Sequence, residues 1–240
     1  MRGRYKLLGL ILLCLFFFIA IGHSNFLLIG QPGSGKGTLS AYLVEKAGYR
    51  HICPGDIIRT HLKHNTKLGQ IIRPGFESGK YVEDSILFNM IKEPVEECIQ
   101  NKRPFIIDGF PRNNAGLDFL IILLKYWQIE SEFIIINFKI DDSICMQRIR
   151  NRIVCFNCYK VYNLDNNRPK HDLTCDDCNT SLEVRTGDTE EVVKRRLLHF
   201  HNNIEPMIEL LKKEFLVINF ASNNNLNDCI AFYNSLLLIH

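Results

Sequence analysis

Lys36 stands alone in a run of side-chain-poor positions, Gly30 to Thr38 (GQPGSGKGT). Glycine at Gly33, Gly35 and Gly37 removes every Cβ that would keep an anion from successive backbone N–H groups. Ser34 and Thr38 add hydroxyls, and Lys36 adds a full positive charge. The run follows an apolar stretch, FLLI (26–29), and opens a helix-like segment, Lys36 to Ala47. It therefore matches G-x-x-x-x-G-K in the strand-to-helix context that gives the motif meaning. A helix N-terminus with free N–H groups and a favourable dipole suits the phosphates of a nucleoside triphosphate. Gly37 stands where a Ser or Thr is usual, and Thr38 follows it.

Four of the nine cysteines form two C-x-x-C pairs, Cys155/Cys158 and Cys175/Cys178, separated by sixteen residues. That spacing fits a four-thiolate structural zinc site, with no open position for catalysis. Two disulfides or four unliganded thiols fit the same spacing. The intervening NLDNNRPKHDLT cannot form a core, so a metal staple is a reasonable expectation, and His171 reads as a solvated loop residue. Cys14, Cys53, Cys98, Cys145 and Cys229 lie in apolar contexts and read as core thiols, or in the case of Cys14 as part of an apolar N-terminal segment.

Elements that could position these groups alternate along the chain. Short β-rich apolar runs lie at 26–29, 49–52, 104–108, 133–138 and 215–220, and several show no polar alternation, as expected of parallel strands buried on both faces. Helices are expected at Lys36–Ala47, ended by Gly48, at Asp142–Arg152, and at Asn227–Leu238. Another should run from a capping box, with Asp188 as N-cap and Glu191 three residues on, to Leu211. In that helix Arg195 can pair with Glu191. The fold class is α/β, a five-stranded parallel sheet with helices on both faces. Two stretches interrupt the rhythm, Pro54 to about Val82 and Ile153 to about Val184, and both lie where ligands bind in such sheets.

Composition bounds the rest. At 240 residues, 46% hydrophobic and 23% charged, the chain suits one soluble core with small insertions. A net charge of +3 argues against a nucleic-acid polymer as partner. Basic MRGRYK followed by the apolar run Leu7–Ile21 fits a signal peptide or anchor over residues 1–23, with a small-x-small cleavage form at Ala20-Ile21-Gly22. This implies membrane contact through 7–21 and a membrane, organellar or secretory destination, or the cytoplasm if the segment is unused.

GQPGSGKGT, PGDIIR (54–59), IIDGFPR (106–112) and RTGDTEEVVKRR (185–196) occur in that order. Together they resemble the adenylate kinase family of nucleoside monophosphate kinases, from Asn25 onward, in its zinc-bearing long-lid form. The resemblance implies a P-loop kinase domain over 24–240, with an NMP-binding insertion at 53–82 and a lid at 152–187. It implies transfer of the terminal phosphoryl group of MgATP to a nucleoside monophosphate, AMP first, by a monomer. It places Gly33, Ser34, Gly35, Lys36, Gly37, Thr38, Arg148 and Arg152 at the donor. Pro54, Arg59, Val82, Gly109, Arg112, Gly116, Arg185 and Arg196 fall at the acceptor. Catalysis falls to Lys36, Asp108, Arg112, Arg152, Arg185 and Arg196, with Asp108 orienting water on Mg²⁺. Arginine suits such a site because its planar fork grips phosphate and stays charged.

The chain departs from the family pattern at base-reading and lid positions. Pro54 replaces a Thr, Ser or Ala, and Gly116 replaces a Gln, or the Asn of UMP–CMP kinases, which FPRN (110–113) also resembles. Ile153 replaces a second lid arginine, and Gly187 an acidic residue. A relaxed acceptor choice follows. GTP:AMP or UMP/CMP phosphotransfer, or a non-catalytic membrane-anchored nucleotide-binding relative, are the alternative readings.

Overall fold

The computed structural model describes residues 24–77, 82–222 and 226–237. The expected leader over residues 1–23, and Cys14 with it, lies outside them. Among the described residues no helix is long and apolar enough to cross a membrane.

Five parallel strands form the central sheet: β1 (Asn25–Gly30), β2 (Arg50–Ile52), β3 (Phe105–Asp108), β4 (Phe133–Lys139) and β8 (Leu216–Ala221), in the order β2-β3-β1-β4-β8. The alternation of side chains along a strand explains why β1 is apolar on both faces from Phe26 to Ile29. Phe26 and Leu28 pack in one layer with Leu39, Leu43 and Tyr233. Leu27 and Ile29 pack in the other with Ile58, Ile91 and Leu117. The first layer is covered by α1 (Lys36–Ala47) and α9 (Leu226–Leu237). The second is covered by α2 (Pro54–Lys63), α3 (Lys67–Glu77), α4 (Asp84–Gln100), α5 (Asn114–Trp127) and α8 (Glu205–Leu211). Gly48 ends α1 at φ 70°, a left-handed conformation open to glycine.

A smaller antiparallel sheet, β6-β5-β7, is built from β5 (Arg152–Cys155), β6 (Val161–Asn163) and β7 (Leu182–Glu183). Its core is Ile153, Cys155, Tyr162, Cys175 and Leu182. Ile153 is an apolar plug of this small core.

Three expectations are corrected. The helix α6 (Asp142–Arg150) stops before Arg152, which instead opens β5. The N-cap of α7 (Glu190–His199) is Thr189, whose hydroxyl accepts from Val192 N–H. Asp188 is one residue outside, because its carboxylate is engaged elsewhere. The helix expected to run unbroken to Leu211 contains a π-helical segment, Phe200–Ile204, ahead of α8. Pro206 at the start of α8 lacks the N–H that would have continued an uninterrupted ladder.

Candidate active site

The loop from Gly30 to Lys36 crosses the carboxyl end of β1, at the edge where open α/β sheets hold ligands. A Cβ on Gly30 would lie 2.7 Å from that of Phe138, so β1 and the end of β4 can approach only with glycine there. Gly35 holds φ 98° at the head of α1. The loop's lysine is folded onto it: Lys36 Nζ donates to the carbonyls of Gly30 and Gln31, each at 2.8 Å, and to Ser34 Oγ at 3.3 Å. Burial pushes the Lys36 ammonium below its usual pKa, with the Asp108 charge pulling the other way. Gly37 and Thr38 are exposed on the first turn of α1.

Asp108 ends β3 beside this lysine, with only 11% of its side chain exposed. Burial alone would raise its pKa, but the contact with His51 and the charge of Lys36 outweigh it, so the carboxyl is held below its usual range. His51 Nε2 lies 3.4 Å from Asp108 Oδ2. Cys53 is not the plain core thiol expected of it: it is half-buried at the head of α2, facing this pair. Neither His51 nor Cys53 was singled out from sequence. Their i, i+2 spacing across the end of β2 was the only available signal, and it needs Asp108, 55 or more residues away, to acquire meaning.

Five arginines come from α2, β5, α7 and the loops that follow β3 and β7. Arg59, on α2, is tied to Asp56 one turn back, yet its Nε is buried without a hydrogen-bond partner. Arg112 follows Gly109, itself at φ 83°, and donates from Nε to the Gly109 carbonyl at 2.6 Å. Arg152 forms a two-pronged pair with Asp188, Nε–Oδ2 at 2.8 Å and Nη2–Oδ1 at 2.5 Å. The Asp188 side chain is fully buried, and Arg196 Nη1 stands 4.0 Å from the same carboxylate. This grip explains why Asp188 does not cap α7. Arg185 is the least compensated of the set. Its Nε is a second buried orphan, and burial, with Arg59 and Arg152 nearby, lowers its pKa to about 10. A cluster of like charges at which desolvated N–H donors find no acceptor is built for a polyanion.

Arg148 lies apart from that cluster, on α6. It bridges the loop to the end of β8, donating to Ser222 O at 2.7 Å, Ser222 Oγ at 3.1 Å and Gly33 O at 3.5 Å. Pro54 is buried as the first residue of α2, and Val82 is half-buried against the core beside α4. Gly116 is buried in the first turn of α5, where its N–H donates to the Asn113 N-cap at 2.9 Å. Gly187 sits against Arg196, and a Cβ there would lie 2.8 Å from Nη2. The missing acidic residue thus leaves room for that guanidinium.

The four C-x-x-C cysteines gather in the small sheet. Sγ separations are 3.4 Å (Cys155–Cys178), 3.5 Å (Cys158–Cys175) and 3.6 Å (Cys158–Cys178). These exclude disulfides, whose sulfurs lie about 2.05 Å apart. They come near the ~3.8 Å edges of a tetrahedron with Zn–S bonds of ~2.3 Å. N–H groups of Asn157 and Cys158 point at Cys155 Sγ, as a thiolate would require.

A parallel sheet with a glycine-cradled lysine at its carboxyl edge, faced by a buried arginine cluster, defines a P-loop phosphotransferase. The adenylate kinase family model matches residues 28–216. An adenylate kinase of Petrotoga mobilis is 36% identical over 202 residues, covering 84% of this chain and 92% of that protein. Adenylate kinases of Borrelia duttonii and Mesomycoplasma hyopneumoniae are 34% and 32% identical, over 83% and 87% of this chain and 91% and 95% of theirs. The chain belongs to the adenylate kinase family.

Proposed function

We propose that the protein catalyses ATP + AMP ⇌ 2 ADP. The observation that carries this reading is the pair of orphaned buried Nε atoms on Arg59 and Arg185, within a guanidinium cluster facing the P-loop. One triphosphate on Lys36 does not require them. A second nucleotide, bringing its own phosphate, does.

In this reading residues 53–82 receive the acceptor and residues 152–187 close over both nucleotides. The donor's phosphates meet the N–H groups of Gly33 to Thr38. Lys36 then exchanges the loop carbonyls for phosphate oxygens. Arg59 and Arg112 hold the acceptor phosphate, beside Gly109, with Pro54, Val82 and Gly116 around its base. Arg148 lies by the donor base. Arg152, Arg185 and Arg196 meet the charge that spreads over the transferring group, and Asp188 fixes the first of them in place. Phosphoryl transfer asks the protein for alignment and charge stabilisation in a closed site rather than covalent chemistry. Mg²⁺, an oxygen-seeking ion that keeps much of its hydration, fits the buried carboxylate of Asp108 and would neutralise phosphate charge. Zn²⁺ fits the four thiolates as a structural staple.

The test is a coupled assay of ADP formation from ATP with AMP, GMP, CMP or UMP. Turnover is expected with AMP. Binding of ATP without turnover on any acceptor would overturn the reading. The basic-then-apolar pattern of residues 1–23 supports an address or anchor, and sequencing the N-terminus of the mature chain tests that.

A further inference from the structure

β2 and β3 bring a second set of donor atoms together beside the P-loop. His51 and Cys53 are two residues apart in extended chain, so their side chains share a face. The parallel register pairs Ile52 with Ile107. Cys53, the next residue and still extended at φ −122° and ψ 107°, caps α2 just past the end of β2, and Asp108 is the next residue after Ile107. One ligand atom from each of His51, Cys53 and Asp108 lies within 4.8 Å of the other two. The 3.4 Å between His51 Nε2 and Asp108 Oδ2 matches the ~3.4 Å that separates two ligands bound at ~2.0–2.1 Å in a tetrahedral shell. The set offers sulfur, nitrogen and oxygen, which suits a borderline-soft ion such as Zn²⁺ or Co²⁺. Mg²⁺ needs oxygen ligands and can use only the carboxylate.

We propose that His51, Cys53 and Asp108 form a three-ligand site for a borderline divalent transition metal, and that an ion held there inhibits phosphoryl transfer by occupying Asp108. The inhibitory part rests on the function proposed above; the binding part does not. Binding transfers the Cys53 thiol proton to solvent, so the ion meets a thiolate and a carboxylate, two negative charges against its own two positive ones. The nearby Lys36 ammonium is already engaged by two carbonyls at 2.8 Å. Three protein ligands leave the fourth position to water or a phosphate oxygen. With one thiolate against four, this site fills after the cysteine cluster of the small sheet.

The experiment uses the full chain with zinc in its cysteine cluster, equilibrated with buffered free Co²⁺. Metal content, the thiolate-to-cobalt charge-transfer band and ADP formation are followed together. The expected result is one retained zinc, one added cobalt with a thiolate band, and loss of turnover. Cys53→Ser should weaken cobalt uptake by ~100-fold or more, since even outer-shell partners cost ~10–100-fold. It should also turn over at cobalt levels that silence the native enzyme. His51→Gln should weaken uptake while keeping the band. Cys53→Ala repeats the measurement should the serine variant melt early. No added equivalent, or uptake and inhibition undiminished in both Cys53 variants, would overturn the proposal. Because uptake is read by metal content and absorption, it remains decisive even if the acceptor screen fails.

Discussion

The hydroxyls of Thr60 and Tyr159 lie 2.7 Å apart, joining α2 to the cysteine-bearing sheet across 99 residues of sequence. A second bond runs beside it, from Lys63 Nζ to the Phe156 carbonyl at 3.1 Å. Phe156 lies within the first C-x-x-C pair and Tyr159 directly follows it, so the cysteine-bearing turn itself touches α2. Tyr159 also holds φ 61°, a left-handed conformation that a bulky residue adopts only when held there. The two excursions therefore meet, and in the function proposed above this pair would latch the site shut.

Tyr159→Phe and Thr60→Val should each loosen that latch. An exposed hydrogen bond is worth about 0.5–1.5 kcal/mol net, so the closed population should fall by roughly threefold to tenfold. KM for both nucleotides should rise while kcat holds or increases, since release commonly limits such enzymes. A double-mutant cycle is the check. Strictly additive effects in the two variants would show that the hydroxyls do not act as a pair.

Removing the metal should unfasten the small sheet before the core. Its buried residues are few, and two of them, Cys155 and Cys175, belong to the four cysteines proposed to hold zinc. Chelation should expose residues 152–187 to limited proteolysis at temperatures where the central sheet is intact, and lower kcat by loosening Arg152 and Arg185. Identical melting and cleavage of metal-bound and metal-free protein would rule this out.

How much of this was legible beforehand depended on whether the signal was local. The inner strands were visible because a strand buried on both faces is apolar over most of its length, as Phe26–Ile29 of β1 and Phe133–Ile136 of β4 are. The loop of Gly30 to Lys36 was visible because its glycines, lysine and flanks are contiguous. Asp188 was misread for the same reason: Asp188 and Glu191 carry the local pattern of a cap, while the partner that claims Asp188 is Arg152, 36 residues earlier. The assembly of His51, Cys53 and Asp108, and the contact of Thr60 with Tyr159, arise only from sheet register and from the meeting of two excursions. No local pattern encodes either.

Arg185 should cost stability and supply activity. Its charge is buried with an unpartnered Nε, and its pKa is lowered to about 10 by burial and by Arg59 and Arg152. Arg185→Leu removes that burden and should stabilise the ligand-free protein by about 1–2 kcal/mol. Turnover should fall by about 100-fold or more as transition-state charge loses a donor. Inorganic phosphate should raise the melting temperature of the native protein more than that of the variant. A variant less stable than the native chain in phosphate-free buffer would count against the argument.

His201 gives a weak pH signature on the opposite side of the loop. Its pKa is raised by the hydrogen bond to Glu205, and then by Asp142, which also accepts from Gln31 at 2.7 Å. The folded-state pKa lies above the unfolded one. The contribution is thus fully present below about pH 6.5 and lost as pH rises through the folded value. The ring is 40% exposed, so the contribution should be about 0.5 kcal/mol or less and should shrink with salt. Comparing His201→Gln with the native chain between acidic and alkaline buffer checks this; an advantage of the native chain that grows with pH would reverse it.

Asp188 separates stability from catalysis. Its side chain is fully buried and takes both prongs of Arg152. Asp188→Asn would leave a buried guanidinium without its counter-charge, and such breakage costs about 3–5 kcal/mol. Arg152→Lys cannot reproduce the fork and should lose part of the same energy. The double variant Arg152→Met with Asp188→Leu removes both charges at once, and should recover much of the stability because apolar replacements of buried pairs are often neutral or better. It should not recover turnover, since Arg152 is then absent from the phosphates. Thermal melts and single-turnover rates on the three variants, measured side by side, decide the matter. A double variant as active as native would remove Arg152 from the mechanism. One as unstable as Asp188→Asn would mean that Asp188 holds the fold through contacts other than this pair.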